Sequence, residues 1–419
     1  MSMELSGWIN RIKGTMLPRR LPPGEMIDID VAERHNRQLL MDLAAEHGPV
    51  FKGRMEGLHT TCIVGLALGR RFLKAHGERL QLYTLNISSI VPFGFIRQMQ
   101  GAIHRRYRAE FARALAKSRH LALLAEAPTL EVDILDAYAK AGGFGADAYI
   151  ERLGEISARV LIRALFGSSS DPFEKDLYLK YMDLGPFGLV WNPGPAQMAA
   201  CKAIDAHLRS GLANGLIDPR SVLGAAASLG EVDATLLGNF IYMVEMGRYD
   251  VRNMYRTLSV YAANNAERMT LIRHEHATGG ERYARAFVDE ELRTDQSERL
   301  MRRVLTDISF EGWHLPAGSL ARVCMWESHH DPDLFPQPMR FDPDRLLGSS
   351  KGGETCSPFG LDRHQCPFAD LVGVAGIRFL RALTHFDLRS QGDQTMMRGA
   401  YHWEPGHDFS LQIRRRDAV

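Results

Sequence analysis

The residues best suited to chemistry lie near the C-terminus, in Cys356-Ser357-Pro358-Phe359-Gly360-Leu361-Asp362-Arg363-His364-Gln365-Cys366-Pro367. One thiol, Cys366, stands behind a Pro- and Gly-bearing loop and ahead of Phe368 to Leu380, a stretch with helical spacing. A thiol at a helix N-terminus sits in a field that favours the thiolate. A thiolate holds a soft or borderline metal, or the iron of a haem, onto which it pushes electron density. A lone cysteine is more often a small buried hydrophobe. The loop leaves both readings open, and the rest of the chain has to decide.

Other groups of this kind are spread along the chain. His104 and Arg108, in His104-Arg105-Arg106-Tyr107-Arg108, are four apart and share a helical face. They form either a donor pair or part of a solvated basic face. Glu290 and Arg293, in Glu290-Glu291-Leu292-Arg293, pair at i,i+3, a pattern frequent by chance. Tyr249 and Asp250 fall in the middle of the longest helical pattern, Asp233 to Asn265, whose stripe is Leu236, Leu237, Phe240, Ile241 and Val244. That helix is about 50 Å long at ~1.5 Å per residue, enough to cross a domain.

The elements around these residues are mostly helical. Helical spacing runs over Glu33 to Glu46, over Leu121 to Leu216 and over Phe287 to Arg293. Val50 to Gly53 and Thr60 to Val64 read as strands around the turn Glu56-Gly57. Residues 1–24 form a stiff Pro-bearing lead-in. Gly185-Pro186-Phe187-Gly188 and Trp191-Asn192-Pro193-Gly194-Pro195 interrupt the helices as an exposed connection.

The 419 residues are 45% hydrophobic and 24% charged, with a net charge of +1, so no polyanionic partner such as nucleic acid is implied. Five scattered cysteines form no disulfide framework and no zinc pair, which fits a reducing, cytoplasmic setting. No apolar run reaches membrane-spanning length, and residues 1–15 lack a signal-peptide core.

The spacing F-G-x-x-x-H-x-C at Phe359, Gly360, His364 and Cys366 resembles the haem-binding loop of the cytochrome P450 family. Phe335-Pro336-Gln337-Pro338-Met339-Arg340-Phe341-Asp342-Pro343-Asp344-Arg345 resembles the family's F-x-x-P-x-x-F-D-P-x-R segment, and Glu290 and Arg293 match its E-x-x-R. The motifs run in the family's order from Gly101 to the end. The resemblance implies a mainly α fold with a small β part, made as one domain over residues 1–419. It implies haem b, with Cys366 as the proximal iron ligand. His104, Arg108, Arg302 and His364 would neutralise the haem propionates, with Phe359 stacked near the loop. Glu290, Arg293 and Arg345 would form a structural ion-pair triad. The connection near residue 188 would be a lid over the substrate pocket. No flavin or nicotinamide fingerprint is present, so electrons would come from a separate ferredoxin or flavodoxin. Without a membrane anchor, the chain is similar to the soluble, bacterial type, and a monomer is expected.

Two segments depart from the family. Asp362 and Phe368 replace two glycines of the ligand loop. On the central helix, Met246-Gly247-Arg248-Tyr249-Asp250 stands where the family has Ala/Gly-Gly-x-Asp/Glu-Thr, the acid–alcohol pair that relays protons. Tyr249 then replaces the acid and Asp250 the alcohol. With the register slipped by one residue, Asp250 fills the acid position and Val251 the alcohol position. Either way the threonine hydroxyl is missing. A carboxylate there is expected to be desolvated and to suit acid–base work, with Arg248 or Arg252 as its partner or as the partner of an anionic substrate. Three functions follow. The first is a monooxygenase of specialised metabolism with non-standard proton delivery through Asp250 and Tyr249. The second is a haem-thiolate enzyme without reductive oxygen activation, such as a peroxygenase, dehydratase, isomerase or cyclase. The third is a non-catalytic haem- or substrate-binding protein.

Overall fold

The computed structural model describes residues 20–416 apart from 84–86, 92–93, 126–127, 144, 169–170, 186–192, 296–298, 349–354 and 400–401. The lead-in up to residue 19 and most of the lid connection lie outside the described residues. The chain divides into two compact units, Met1–Tyr83 with Arg299–Ser328, and Thr84–Glu298 with His329–Val419.

The smaller unit is built on a five-stranded sheet in the order β1-β2-β7-β4-β3. Its strands are β1 (Val50–Met55), β2 (Leu58–Val64), β3 (Leu80–Leu82), β4 (Arg299–Val304) and β7 (Leu320–Cys324); β5 (Ile308–Phe310) and β6 (Trp313–Leu315) form a separate hairpin. The first hairpin turns at Glu56 and Gly57, with φ of 49° and 77°. That two-residue turn needs positive φ at both positions, which is why a glycine stands there. β2 runs parallel to β7, and β4 antiparallel to β7 and β3. Phe51, Cys62, Leu320 and Cys324 form the core with Ile29 and Leu40. The unit also holds the helices α1 (Ile29–Ala32), α2 (Leu39–His47) and α3 (Leu66–His76), and a short helical turn, Met325–His329, follows β7.

The helix expected over Glu33 to Glu46 is broken. Glu33–His35 is a 3-10 turn, and Asn36 is extended at φ −126° and ψ 93°. The Asn36 side chain accepts from Gln38 N at 3.0 Å, a local bond that competes with helix and delays its start to Leu39.

The larger unit is helical: α4 (Gly101–Lys117), α5 (His120–Leu124), α6 (Thr129–Lys140), α7 (Ala146–Leu165), α8 (Asp171–Leu184), α9 (Pro195–Ala213), α10 (Val222–Leu229), α11 (Ala234–Asn264), α12 (Ala266–Ala277), α13 (Arg282–Thr294) and α14 (Ala369–Leu383). Two small pairs, β8 (Phe386–Gln391) with β11 (Ser410–Arg415) and β9 (Met397–Arg398) with β10 (Trp403–Glu404), follow α14. The architecture is mainly α with a small β part.

The central helix α11 starts where Asp233 caps it, accepting from Leu236 N at 2.8 Å. Its buried residues face every side, because neighbours cover it all round. Ser157 Oγ of α7 donates to Arg248 O at 2.9 Å, and Tyr181 of α8 donates to Ile241 O at 3.1 Å. Gly247 lets α7 come close, since a Cβ there would stand 3.0 Å from Leu161 Cδ1. Tyr255 stacks on Phe379 of α14 at 4.3 Å. Burial of each such aromatic ring contributes about 1.5–3 kcal/mol. Asn239 accepts from Ile96 N at 2.7 Å and donates to Thr235 O at 2.8 Å, which ties the loop before α4 to α11.

α13 carries the ion pairs that pin the following chain. Glu290 Oε1 accepts from Arg293 Nη2 at 2.8 Å, from Arg345 Nε at 3.0 Å and from Asp342 N at 2.9 Å, and Oε2 accepts from Arg293 Nε at 2.9 Å. Arg293 also donates to His329 O at 3.0 Å and Pro338 O at 2.9 Å, and lies over the Phe335 ring. Arg345 donates to Pro336 O, Gln337 O and Arg340 O. Glu290 and Arg293 have 0% exposure, so each charge relies on these partners. Removing one partner leaves a buried charge at a cost of about 3–5 kcal/mol. Arg293→Ala should therefore yield little soluble, folded protein. A soluble variant with an unchanged urea midpoint would show that the group does not hold the fold.

Candidate active site

The Cys366 loop closes on itself through backbone bonds. Cys366 N donates to Phe359 O at 2.9 Å, Gly360 N to Ser357 O at 3.2 Å, and Ser357 Oγ to Gly360 O at 2.8 Å. Gly360 has φ 88°, a left-handed conformation that glycine adopts without strain. Asp362–His364 is a 3-10 turn, and α14 begins three residues beyond Cys366. Phe368, in place of a family glycine, has φ −111° at the cap of α14, so its backbone needs no glycine. Phe359 is partly buried against the core of the larger unit.

The loop holds two thiols of different character. Desolvation pushes the Cys356 thiol up to about 12, which keeps it protonated. Cys366 is half-buried and close enough to Arg108 for its charge to favour the protonated guanidinium.

α4 brings its two candidates to this loop. His104 is 5% exposed, and its ring lies 4.4 Å from the ring of His364. Arg108 is half-buried; it makes no ion pair or hydrogen bond among the described residues, and desolvation lowers its ordinary value. Arg105 is exposed, and Arg106 turns outward to Glu110 at 3.0 Å and Asp233 at 3.1 Å. The basic run is thus split into an inward pair and a solvated pair. Arg302 is on β4 of the smaller unit, 3% exposed, with Nη1 donating to Met301 O at 3.0 Å.

His329 is a participant that sequence reasoning missed. Its Nε2 accepts from Ser357 N at 2.9 Å, while its carbonyl takes the bond from Arg293. The start of the cysteine loop is thereby tied to the Glu290 ion pairs. Burial, helped by the Arg293 charge, lowers His329 to about 3, so the ring is neutral and free to accept. In the sequence it stands out only as the first of two adjacent histidines, ahead of Asp331-Pro332.

On α11, Tyr249 is half-buried, and burial, with Glu404 and Asp250 nearby, pushes its phenol up. Asp250 departs from expectation in two respects. Its side chain is 38% exposed rather than desolvated, and its partner is His402, with Nε2 2.9 Å from Asp250 Oδ1. Arg248 instead pairs with Glu245 at 2.8 Å and donates to Gly185 O, and Arg252 lies over the Tyr249 ring at 5.2 Å. The reason is direction: Ser157 of α7 bonds the Arg248 carbonyl, and the Arg252 side chain leans on α7 at Gly154.

His329 also sets a pH dependence. The ring stays neutral in the fold down to about pH 3, whereas the unfolded chain takes up a proton below its ordinary value of 6.5. Its contribution is complete above that ordinary value and is lost as the pH falls toward 3, at no more than about 1.4 kcal/mol per pH unit. His329→Asn keeps an acceptor but no titration. The urea midpoint of that variant should fall less steeply with acidification than the parent's, and equal slopes would remove His329 as the cause.

Comparison with known proteins addresses the same residues. The family model "Cytochrome P450" matches residues 281–372, which carry the ion pairs of α13 and the cysteine loop. "Ent-kaurenoic acid oxidase 2" of Arabidopsis thaliana is 33% identical over 108 residues, 26% of this chain and 22% of that protein. "Putative cytochrome P450 120" of Synechocystis is 35% identical over 114 residues, 27% of this chain and 23% of that protein. The chain thus spans about a quarter of the length of the curated relatives it matches. Among solved structures, retinoic acid-bound cyanobacterial CYP120A1 gives a TM-score of 0.71 at 18% identity, covering 96% of this chain and 100% of that one. Ligand-free cytochrome P450 OleT gives 0.70 at 14%, covering 94% and 99%. At such identities the likeness is one of fold. Fold and motif agree: residues 281–372 match the cytochrome P450 family, the described residues share the fold of its solved members, and the cofactor of that family is haem.

Proposed function

We propose that the protein is a haem-thiolate monooxygenase acting on a small organic metabolite in specialised biosynthesis, with Cys366 as the iron ligand. The observation that carries this reading is the meeting of α4 and the cysteine loop, where His104 packs on His364 and Arg108 faces Cys366. The residues fit the group. Cys366 is an accessible thiol beside a cation, whereas Cys356 is held protonated. Arg108 is a half-buried guanidinium whose charge an acidic substituent of the porphyrin would satisfy. His104 and His364 supply further donors at the same edge. When bound, the haem supplies oxygen activation and the oxidation of the substrate.

The chain's own residues hold and supply. The Ser357–Gly360 turn and the Cys366–Phe359 bond orient the thiolate. His329 and the Glu290 ion pairs support that turn from behind. Asp250, with His402 bonded to Oδ1, holds a proton-accepting carboxylate on α11 in the place of the family's alcohol. Tyr249, raised by burial, stays a donor. A ferredoxin or flavodoxin supplies electrons, and the two units work as one domain.

A second reading has one observation in its favour. Gly247-Arg248-Tyr249-Asp250-Val251 offers no serine or threonine hydroxyl on α11. A haem-thiolate enzyme that uses peroxide, or no oxidant, needs none. Turnover with peroxide alone, set against turnover with NADH and a ferredoxin system, separates the two.

Cys366→Ala should abolish the thiolate-type carbon monoxide spectrum of the reduced protein, and a surviving spectrum would assign the ligand elsewhere. At matched haem content, Asp250→Asn should lower turnover by roughly 10²–10⁴-fold, the usual worth of a positioned acid–base group. Full activity in both Asp250→Asn and Asp250→Thr would make Asp250 a bystander.

A further inference from the structure

We propose that His402 and Asp250 form a carboxylate held by an imidazole, whose other oxygen, Oδ2, binds a hydrogen-bond donor of the substrate, a hydroxyl or an ammonium group. The proposal rests on the haem-enzyme reading above and adds to it the chemical class of group that α11 recognises.

The two residues are 152 positions apart in sequence and 2.9 Å apart at Nε2 and Oδ1. A carboxylate only accepts, so Nε2 carries the shared proton. His402 Nδ1 is buried and meets no hydrogen-bond partner among the described residues. A proton there would be a buried donor with no acceptor among the described residues. The geometry therefore puts the ring proton on Nε2 and leaves Nδ1 bare, and Asp250 keeps Oδ2 as an acceptor.

Among the described residues, the arginines nearest to Asp250 in sequence are engaged elsewhere. Arg256 is bound by Glu404 at 2.8 Å and by the carbonyls of Pro405 and Gly406. Arg248 is bound by Glu245, and Arg252 lies over the Tyr249 ring. The imidazole is 5% exposed and the carboxylate 38%. His402 thus anchors the carboxylate from the buried side, and Asp250 presents its remaining capacity outward. A negative acceptor, fixed in direction and reachable, selects a donor. His402 acts through Asp250 and is a positioning residue.

The test uses the full-length, haem-loaded protein, reduced and saturated with carbon monoxide so that the iron is diamagnetic and cannot bind the probes. Long-range proton–nitrogen NMR of histidine-labelled protein, with His402→Gln to assign the resonance, should show a single tautomer protonated at Nε2 and bare at Nδ1. Calorimetry then follows cyclohexanol, cyclohexylammonium and methylcyclohexane. Asp250→Asn and His402→Phe should each weaken the two donor probes roughly tenfold, as expected for a lost charge-assisted hydrogen bond. His402→Gln, which can still donate to Asp250, should restore them, and methylcyclohexane should bind all forms alike. A doubly protonated or Nδ1-protonated ring overturns the proposal. So does a parent that binds the donor probes no better than His402→Phe, the absence of binding included. The carbon monoxide spectrum of the same sample reports on the haem-thiolate reading separately.

Discussion

A carboxylate with no exposed surface sets much of the geometry of the larger unit. Glu290 accepts four protein donors, from two guanidiniums and one backbone amide. Isolated, such an ion would be intolerable in an apolar interior; paired, it forces the chain from Pro336 to Arg345 to wrap back onto α13. The wrap brings Arg293 to the carbonyl of His329, and the His329 ring to the first amide of the cysteine loop. The position of the thiol is thus inherited, bond by bond, from an electrostatic requirement elsewhere. Replacement of the ions by apolar residues could match the stability and would lose that geometry.

The central helix exerts the second constraint. Apart from its two ends, α11 is covered on most sides, and its partly exposed side chains in the middle fall around Tyr249, Asp250 and Arg252. Its small residue Gly247 is spent on the approach of α7. What meets that stretch depends on what the β9–β10 region places against it, and His402 comes from there.

Much of this was legible in the sequence where the signal is local. Asp233 as cap and the stripe behind it placed α11 to within a residue at each end. Glu56-Gly57 marked the first hairpin, and the i,i+3 spacing of Glu290 and Arg293 put both on one face of α13. Periodicity failed at Asn36, where a single side-chain bond outweighed a pattern that looked helical throughout. It failed again at Asp250. Two arginines nearby in sequence made better partners on paper than a histidine near the other end of the chain. Which way a helical side chain leans is decided by neighbours that no local window contains. His329 was hidden for the same reason, since its role rests on burial and on an amide that spacing does not announce.

The smaller unit has a consequence for biogenesis. Its sheet joins β2 to β7 in parallel, and Gly65 N bonds Ser328 Oγ across 263 positions at 2.8 Å. Long-range parallel pairing is slow, because loop closure must precede any gain from contact. During synthesis, the β1–β2 hairpin emerges early, and the inner edge of β2 stays unpaired until the ribosome has delivered residue 324. For that interval the nascent chain carries an open strand edge flanked by Phe51, Cys62 and Ile63, a template for aggregation. A chaperone that masks this hairpin until late in translation would bear directly on the yield of folded protein.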